Sequence, residues 1–224
     1  MNRFGIGEVR RSEDKKMDMK NIILDVDGTL WNTTDIVADS WTRALRTCDI
    51  TDITVTGADL RQLFGKTMDV IAQAILPGYP KEKRDEVMEV CCKYEQEDLV
   101  KNPCHILYPH VKETIITLSN ERNIFIVSNC QSGYIELFLE KTGLGEYVKD
   151  IECFGNTGKQ KNENIRILME RNGLEHAVYV GDTLGDCEAA KKAGVPFIFA
   201  EYGFGDVVES QMRIKSFEEL LRLT

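Results

Sequence analysis

No apolar run in the 224 residues is long enough to span a bilayer, so no membrane partner is expected. Positive charge is in short supply: 28 Lys and Arg face 37 Asp and Glu, a formal net charge of -9. A general nucleic-acid binder needs a basic face for the phosphate backbone, so no nucleic-acid partner is expected either. A small phosphate substrate stays open, because a bound metal and one local lysine can reverse the sign inside a cleft. Cysteine patterning is also missing. Cys48, Cys91, Cys92, Cys104, Cys130, Cys153 and Cys187 are odd in number and contain no Cys-x-x-Cys pair. Neither a disulfide framework nor a zinc knuckle is suggested, and small thiols in a reducing cytoplasm are expected. His105, His110 and His176 show no ligand spacing and are read as surface or satisfied residues. The first nineteen residues mix Arg3, Arg10, Arg11, Lys15 and Lys16 with Glu8, Glu13, Asp14 and Asp18. They lack the apolar centre of a signal peptide and read as a flexible extension, with Met17 and Met19 as alternative starts. No internal repeat or low-complexity tract occurs.

What remains is an ordinary soluble composition, 42% hydrophobic and 29% charged. The length suits one large domain, or one domain with a smaller insert. Residues 21–26 read as a buried strand ended by Asp27-Gly28. Helical patterns follow at 35–47, 57–64 and 67–76. Pro77-Gly78-Tyr79-Pro80 breaks them, and a charged helix runs over 81–100. Its charges from Lys81 to Glu97 read as a solvated face. After Pro103 the pattern changes to helix 109–121, strand 124–127, helix 133–141, strand 151–154, helix 162–172, strand 177–180, helix 185–193 and strand 196–199. A short closing helix follows at 217–223. That alternation predicts βαβ units, hence an α/β fold with a doubly wound parallel sheet. The all-helical stretch before it reads as an insertion. The expected division is an extension at 1–19, a core at 20–34 and 105–224, and a helical insert at 35–104.

Ligands of open parallel sheets bind beyond the carboxyl ends of the strands. Those ends deliver Asp25, Asp27, Gly28 and Thr29, then Ser128 and Asn129, then Gly181, Asp182 and Asp186. The loop after Phe154 brings Lys159 and Lys161. A carboxylate can attack phosphorus without a separate base, since it is already anionic at neutral pH. Asp25 and Asp27 share a strand face, and unlike environments can keep one ionised and the other protonated. Gly28 permits the sharp turn that brings backbone near a phosphate. The plain alternative is a solvated turn, since Asp-Gly is a common turn pair. Gly181-Asp182-Thr183-Leu184-Gly185-Asp186 alone reads equally as a turn plus an N-cap; beside Asp25 it offers hard oxygen ligands for magnesium.

Asp25-Val26-Asp27-Gly28-Thr29-Leu30 resembles the first motif of the haloacid dehalogenase superfamily. Ser128 after an apolar strand resembles the second, Lys161 the third, and Gly181-Asp182 with Asp186 the fourth. The four occur in family order over residues 21 to about 200. The sequence is similar to phosphoglycolate phosphatase-like and β-phosphoglucomutase-like members, which implies a Rossmann-like core with an inserted helical cap. The resemblance implies Mg²⁺ as cofactor and Asp25 as nucleophile and metal ligand. It implies Asp27 as general acid and base, with its main-chain carbonyl as a second ligand. Asp182 would be a direct ligand, and Asp186 would act through water or by orientation. Ser128 and the Asn129 amide would hold phosphate oxygens, and Lys161 would neutralise charge between Asp25 and the phosphate. Gly28, Thr29 and Lys66, the last in the loop Gly65-Lys66-Thr67, are further substrate-binding candidates. A solvated interhelical loop is the alternative for Lys66.

Departures from the family pattern matter. The lysine motif lacks the prolines that often follow it, which leaves Lys159 as a rival to Lys161. Asn32 stands where many members carry an acid. Val37 stands where the mutases place a histidine, which argues against mutase activity, and Asp27 argues against dehalogenation. The expected activity is hydrolysis of a small phosphorylated metabolite through an aspartyl-phosphate. The alternatives are a phosphomutase, a non-catalytic phosphate-binding or regulatory protein, and a signalling receiver. Phosphoglycolate, sugar phosphates and nucleoside monophosphates all stay open as substrates, and no oligomeric state is specified. Trp31 reads equally as an entrance residue or as core.

Overall fold

Alternate residues of the apolar strands face opposite ways, and the fold uses both directions. Ile22, Leu24, Ile124, Ile126, Val178 and Val180 enter one buried cluster, while Ile23, Phe125, Val127 and Tyr179 enter another on the opposite face. Burial on both faces explains why these strands read as continuous apolar runs. Each fully buried Val, Leu or Ile contributes about 1.5–3 kcal/mol over the exposed state.

The computed structural model describes residues 19–102, 106–208 and 210–223. Residues 1–18, Cys104 and His105 therefore lie outside the described residues. Met19, expected in the extension, is instead buried in the core. The sheet comprises β1 (Asn21–Leu24), β2 (Asn123–Ser128), β3 (Val148–Cys153), β4 (Val178–Gly181), β5 (Phe197–Ala200) and β6 (Arg213–Ile214). Its order is β3-β2-β1-β4-β5-β6, and every pairing is parallel. The α/β doubly wound expectation is met. The chain winds outward from β1 in two directions, so β1 lies at the switch point where a crevice opens. Leu24 is level with Ile126 on one side and with Val180 on the other. The residues just past β1, β2 and β4 must therefore emerge side by side.

Between β1 and β2 run α1 (Thr34–Thr47), α2 (Gly57–Leu63), α3 (Met68–Ile75) and α4 (Lys81–Lys101). They enclose a buried cluster of their own, with Val37, Trp41, Leu45, Leu60, Ile71 and Val87. A capping box starts α2: the Thr56 hydroxyl accepts from the Asp59 amide while the Asp59 carboxylate accepts from the Thr56 amide. Around the sheet lie α5 (Val111–Ser119), α6 (Tyr134–Thr142), α7 (Phe154–Thr157), α8 (Lys161–Arg171), α9 (Leu184–Ala193) and α10 (Leu220–Leu223). The sequence reading lacks β6 and α7. A two-residue strand and a single helical turn carry too little periodicity to be seen. It also starts β3 three residues late, because Val148, Asp150 and Glu152 alternate with Lys149 and Ile151 without a clear apolar face. Among the described residues no helix is long and apolar enough to cross a membrane. The described cysteines are unbridged.

Candidate active site

β1 ends by handing its chain directly to the chemistry. The Asp25 amide still donates to Val180 across the sheet at 2.9 Å, so the backbone under the carboxylate is fixed by β4. Gly28 then takes φ +78°, and a Cβ there would lie 2.0 Å from Asp182 Oδ2. Only glycine fits, for conformation and for space at once. The turn closes with Leu30 N–H donating to Val26 at 2.8 Å and Gly28 N–H to Trp31 at 2.9 Å.

Asp25, Asp182 and Asp186 come together here, each offering a carboxylate oxygen within 4.8 Å of the others. Asp25 is 1% exposed, and Asp182 and Asp186 have no exposed surface. Lys161, the first residue of α8, reaches in from the side. Its Nζ lies 3.0 Å from Asp25 Oδ1 and 2.5 Å from Asp186 Oδ1. Burial works against the ammonium, but Asp186 and Asp25 outweigh it and hold the lysine charged. Lys159 is exposed. The rivalry between the two lysines is thus decided in position: Lys161 enters the cluster and Lys159 does not.

The cluster holds three acids and one cation. Neither Asp25 oxygen has a hydrogen-bond partner, and Oδ1 is held only by its ion pair with Lys161. Burial pushes the Asp25 pKa up to about 7, against the lowering pull of Lys161 and with the repulsion of Asp186. Burial, then Asp186 and Asp25, drives Asp182 well above the usual carboxylate range. An excess of buried negative charge with an orphaned oxygen fits a bound cation, and an all-oxygen donor set suits a hard one.

The Asp27 side chain takes no part in that cluster, so of Asp27 only the main-chain carbonyl is left for the expected place at the metal. The side chain faces the insert side, where its Oδ1 accepts from Tyr134 Oη at 2.8 Å, Trp31 Nε1 at 3.0 Å and Thr33 Oγ1 at 3.3 Å. Burial pushes its pKa up to about 6, against those three donors. Two carboxylates one residue apart thus sit in unlike surroundings. Trp31 is core, edge-on to Phe138 with ring centroids 5.0 Å apart, and its indole N–H also orients Asp27.

The remaining acids are occupied differently. Asp186 Oδ2 accepts from the Thr183 amide at 3.0 Å and from its hydroxyl at 2.7 Å, the capping box of α9. Lys161 takes its other oxygen, so both oxygens of Asp186 are engaged by neighbouring side chains. Asp182 Oδ2 accepts from the Phe204 amide at 2.7 Å, and a Cβ on Gly203 would lie 2.2 Å from the Asp182 Cβ. Thr29 donates to Asp182 Oδ1 at 3.4 Å and has no exposed surface. Gly28 and Thr29, expected at the substrate, both stand against the Asp182 side chain.

Ser128, at the end of β2, is buried and lines the pocket beside Asp27. Asn129 follows, and its Nδ2 donates to the Gly65 carbonyl at 2.8 Å. Gly65 has φ +85°, and a Cβ there would touch the Thr183 side chain at 3.3 Å. The Gly65-Lys66 loop is therefore pinned across the rim between the ends of β2 and β4. Lys66 lines the same pocket and is exposed. The pocket is small, about 30 Å³, room for one or two waters.

Sequence reasoning missed the Gly203-Phe204 loop, Tyr134, Gln131 and Glu95. The first lies just past β5, where the strand-end rule would find it. Glu95 carries a clearer signal. Val87, Cys91 and Leu99 form a buried stripe at four-residue spacing on α4, and Glu95 occupies the remaining position of that stripe. It is 3% exposed, which corrects the reading of these charges as a solvated face.

Residues 22–200 match the family model described as haloacid dehalogenase-like hydrolase. The chain is similar to a phosphoglycolate phosphatase of Vibrio vulnificus, 28% identical over 84% of this chain and 86% of that protein. It is similar to another phosphoglycolate phosphatase, of Agrobacterium fabrum, at 26% identity over 83% and 82%. Among solved structures, one from Lactobacillus plantarum superposes with a TM-score of 0.80 at 18% identity, covering 93% of this chain and 100% of that one. A haloacid dehalogenase-like family hydrolase from Streptococcus pneumoniae gives 0.77 at 16%, covering 91% and 97%. These last two likenesses speak to the fold.

Proposed function

The chain belongs to the haloacid dehalogenase-like hydrolase family, and on that premise we propose that it is a magnesium-dependent phosphatase of small phosphomonoesters, working through an aspartyl-phosphate on Asp25. The observation that carries this reading is the buried Asp25 carboxylate, with one oxygen unpartnered and the other against Lys161, beside Asp182 and Asp186. The phosphatase names of the curated relatives support the same class.

Asp25, Asp182 and the Asp27 carbonyl would hold Mg²⁺, with Asp186 orienting through its bonds to Lys161 and Thr183. The ion would supply positive charge to the transferring phosphoryl oxygens and favour ionised Asp25. The remaining work belongs to side chains. An Asp25 oxygen attacks phosphorus, forming the acyl phosphate as the bond to the leaving oxygen breaks. Asp27, with its raised pKa, gives its proton to that oxygen, and an alcohol departs. Asp27, now ionised, takes a proton from water; the water oxygen attacks phosphorus, and the acyl bond breaks to return Asp25 and release phosphate. Lys161 offsets the repulsion between Asp25 and the incoming anion. Ser128 and the Asn129 amide hold phosphate oxygens, and Lys66 meets the substrate from the insert.

Residues 35–104 act as a cap in this reading. The Asn129–Gly65 hydrogen bond ties this cap to the loop after β2 beside the pocket. Val37 is fully buried in the insert's own core and brings no proton-transfer group to the site, which supports hydrolysis over the mutase alternative. The test is turnover of p-nitrophenyl phosphate with Mg²⁺, together with acid-quench trapping of a protein-bound acyl phosphate. Absence of turnover across a panel of small phosphomonoesters would remove the reading.

A further inference from the structure

The proposed chemistry leaves one buried acid of the pocket unused. Glu95 rises from α4 into the same space as Asp27, Ser128 and Lys66. Its Oε2 accepts from Trp41 Nε1 at 2.8 Å and its Oε1 from Gln131 Nε2 at 3.1 Å. No Lys, Arg or His among the described residues forms an ion pair with it. A carboxylate offers about four acceptor positions, so each oxygen keeps an acceptor position to spare. Burial pushes the Glu95 pKa up to about 7, while the Trp41 and Gln131 donors pull it down; one more donor would favour the ionised form. A glutamine would join α1, α4 and the loop after β2 at lower desolvation cost. An acid in that place calls for a partner that the described residues do not supply.

We propose that Glu95 is a specificity-determining residue, selecting a leaving group that carries a hydrogen-bond donor, a hydroxyl or an ammonium, over one that ends in a carboxylate. This rests on the phosphatase reading above. The leaving oxygen must reach Asp27, so the rest of the leaving group extends toward the insert, where Glu95 waits. A substrate carboxylate there would meet Asp27 and Glu95, with Lys66 at the exposed rim as the cation lining the pocket. A hydroxyl or ammonium would complete the open positions on Glu95. The site is thereby set apart from the phosphoglycolate chemistry that the relatives' names carry, since that leaving group ends in a carboxylate.

The test compares glycerol 3-phosphate, phosphoethanolamine and 2-phosphoglycolate at saturating Mg²⁺, in the wild type, Glu95→Gln and Glu95→Asp. The wild type should favour at least one donor-bearing ester over 2-phosphoglycolate by about tenfold or more in kcat/KM. Glu95→Gln should shrink that ratio about tenfold, mainly through KM, and Glu95→Asp should recover part of it. Whichever donor ester loses more identifies hydroxyl or ammonium. Where turnover is too slow to measure, competition constants against p-nitrophenyl phosphate read the same ratios. A wild type that prefers 2-phosphoglycolate overturns the inference. So does a Glu95→Gln variant in which all three esters fall by one common factor, because that is what a purely structural tie would do. If p-nitrophenyl phosphate itself is not turned over, the phosphatase reading has failed first, which is a different result from an unchanged ratio.

Discussion

Two surfaces meet across the pocket, and they are held by different means. On the sheet side, Asp25, Asp182 and Lys161 stand on strand ends and a helix start, with glycines pressed beneath them and main-chain hydrogen bonds from β4 and the β5–β6 loop. On the insert side, Trp41 and Glu95 stand on α1 and α4, and Lys66 on the loop between α2 and α3, around a core of the insert's own. One described polar tie, Asn129 to Gly65, joins the loop after β2 to the rim loop of the insert, a second runs from Gln131 to Glu95, and a third from Lys141 to the Asn102 carbonyl. The rigid side suits chemistry, where groups must be held to within fractions of an ångström. The side with fewer ties suits admission and choice of substrate, which require movement.

If that division is right, damage to the sheet side should cost far more turnover than damage to the insert side. Asp25→Asn removes the attacking charge while nearly keeping the shape, and kcat should fall by at least about 10⁴-fold. Retention of more than about a tenth of the activity would end the covalent mechanism. Chelation should come next, lowering the rate about a thousandfold or more until Mg²⁺ is returned, since three buried acids share one lysine. Full activity after dialysis against excess chelator would take the metal out of the account. Lys161→Ala should cost about a hundredfold or more, the scale of losing one preorganised charge-stabilising group. Lys159→Ala, which alters an exposed side chain, should change turnover by less than about threefold in the same assay. On the insert side, Lys66→Ala should raise KM by about tenfold with a smaller change in kcat, as expected for an exposed rim cation.

The smallest effect concerns stability, and it sharpens the contrast by a different measurement. Asp25, Asp27, Asp182 and Glu95 all have folded-state pKa values above their unfolded ones. Between about pH 5 and 7 the metal-free native state therefore binds more protons than the unfolded chain, and these groups lose stability as pH rises. Melting temperature without metal should fall by several degrees from pH 5 to pH 8, and Mg²⁺ should restore it at pH 8. Asp25→Asn should melt above the wild type at pH 8 in chelator, the usual trade of stability against function. A melting curve that rises from pH 5 to 8 in the absence of metal would contradict the buried-acid account. Glu95→Gln should show a lesser gain, since Trp41 and Gln131 already partly stabilise its charge.

Much of the sheet side was legible because its signals are local. An apolar run ending in Asp-x-Asp-Gly, another ending in Ser-Asn and a third ending in Gly-Asp each mark a strand end, and the parallel alternation places those ends on one edge. Asp25, Ser128, Asp182 and Asp186 could therefore be named from the chain alone, and the lysine only as one of the pair Lys159 and Lys161. Where each side chain points could not. Asp27 turns from the acidic cluster to Tyr134, which is 107 residues away in sequence, and Thr29 turns inward to Asp182, 153 residues away. Both choices follow from the order in which the strands lie, with β2 and the helix after it on one side of β1 and β4 on the other.

The sequence by itself determined the alternation of strands and helices, the identity of the acids at the strand ends, and the presence of a helical insertion, because hydrophobic period and turn chemistry act over a few residues. Tertiary structure alone decided which lysine reaches Asp25, that Asp27 faces the insert, that Gly203 and Phe204 hold Asp182, and that Glu95 is buried. Those outcomes depend on contacts between segments far apart in the chain. Desolvation and packing, which set the pKa of a buried acid and the direction of its side chain, exist only once those segments have met.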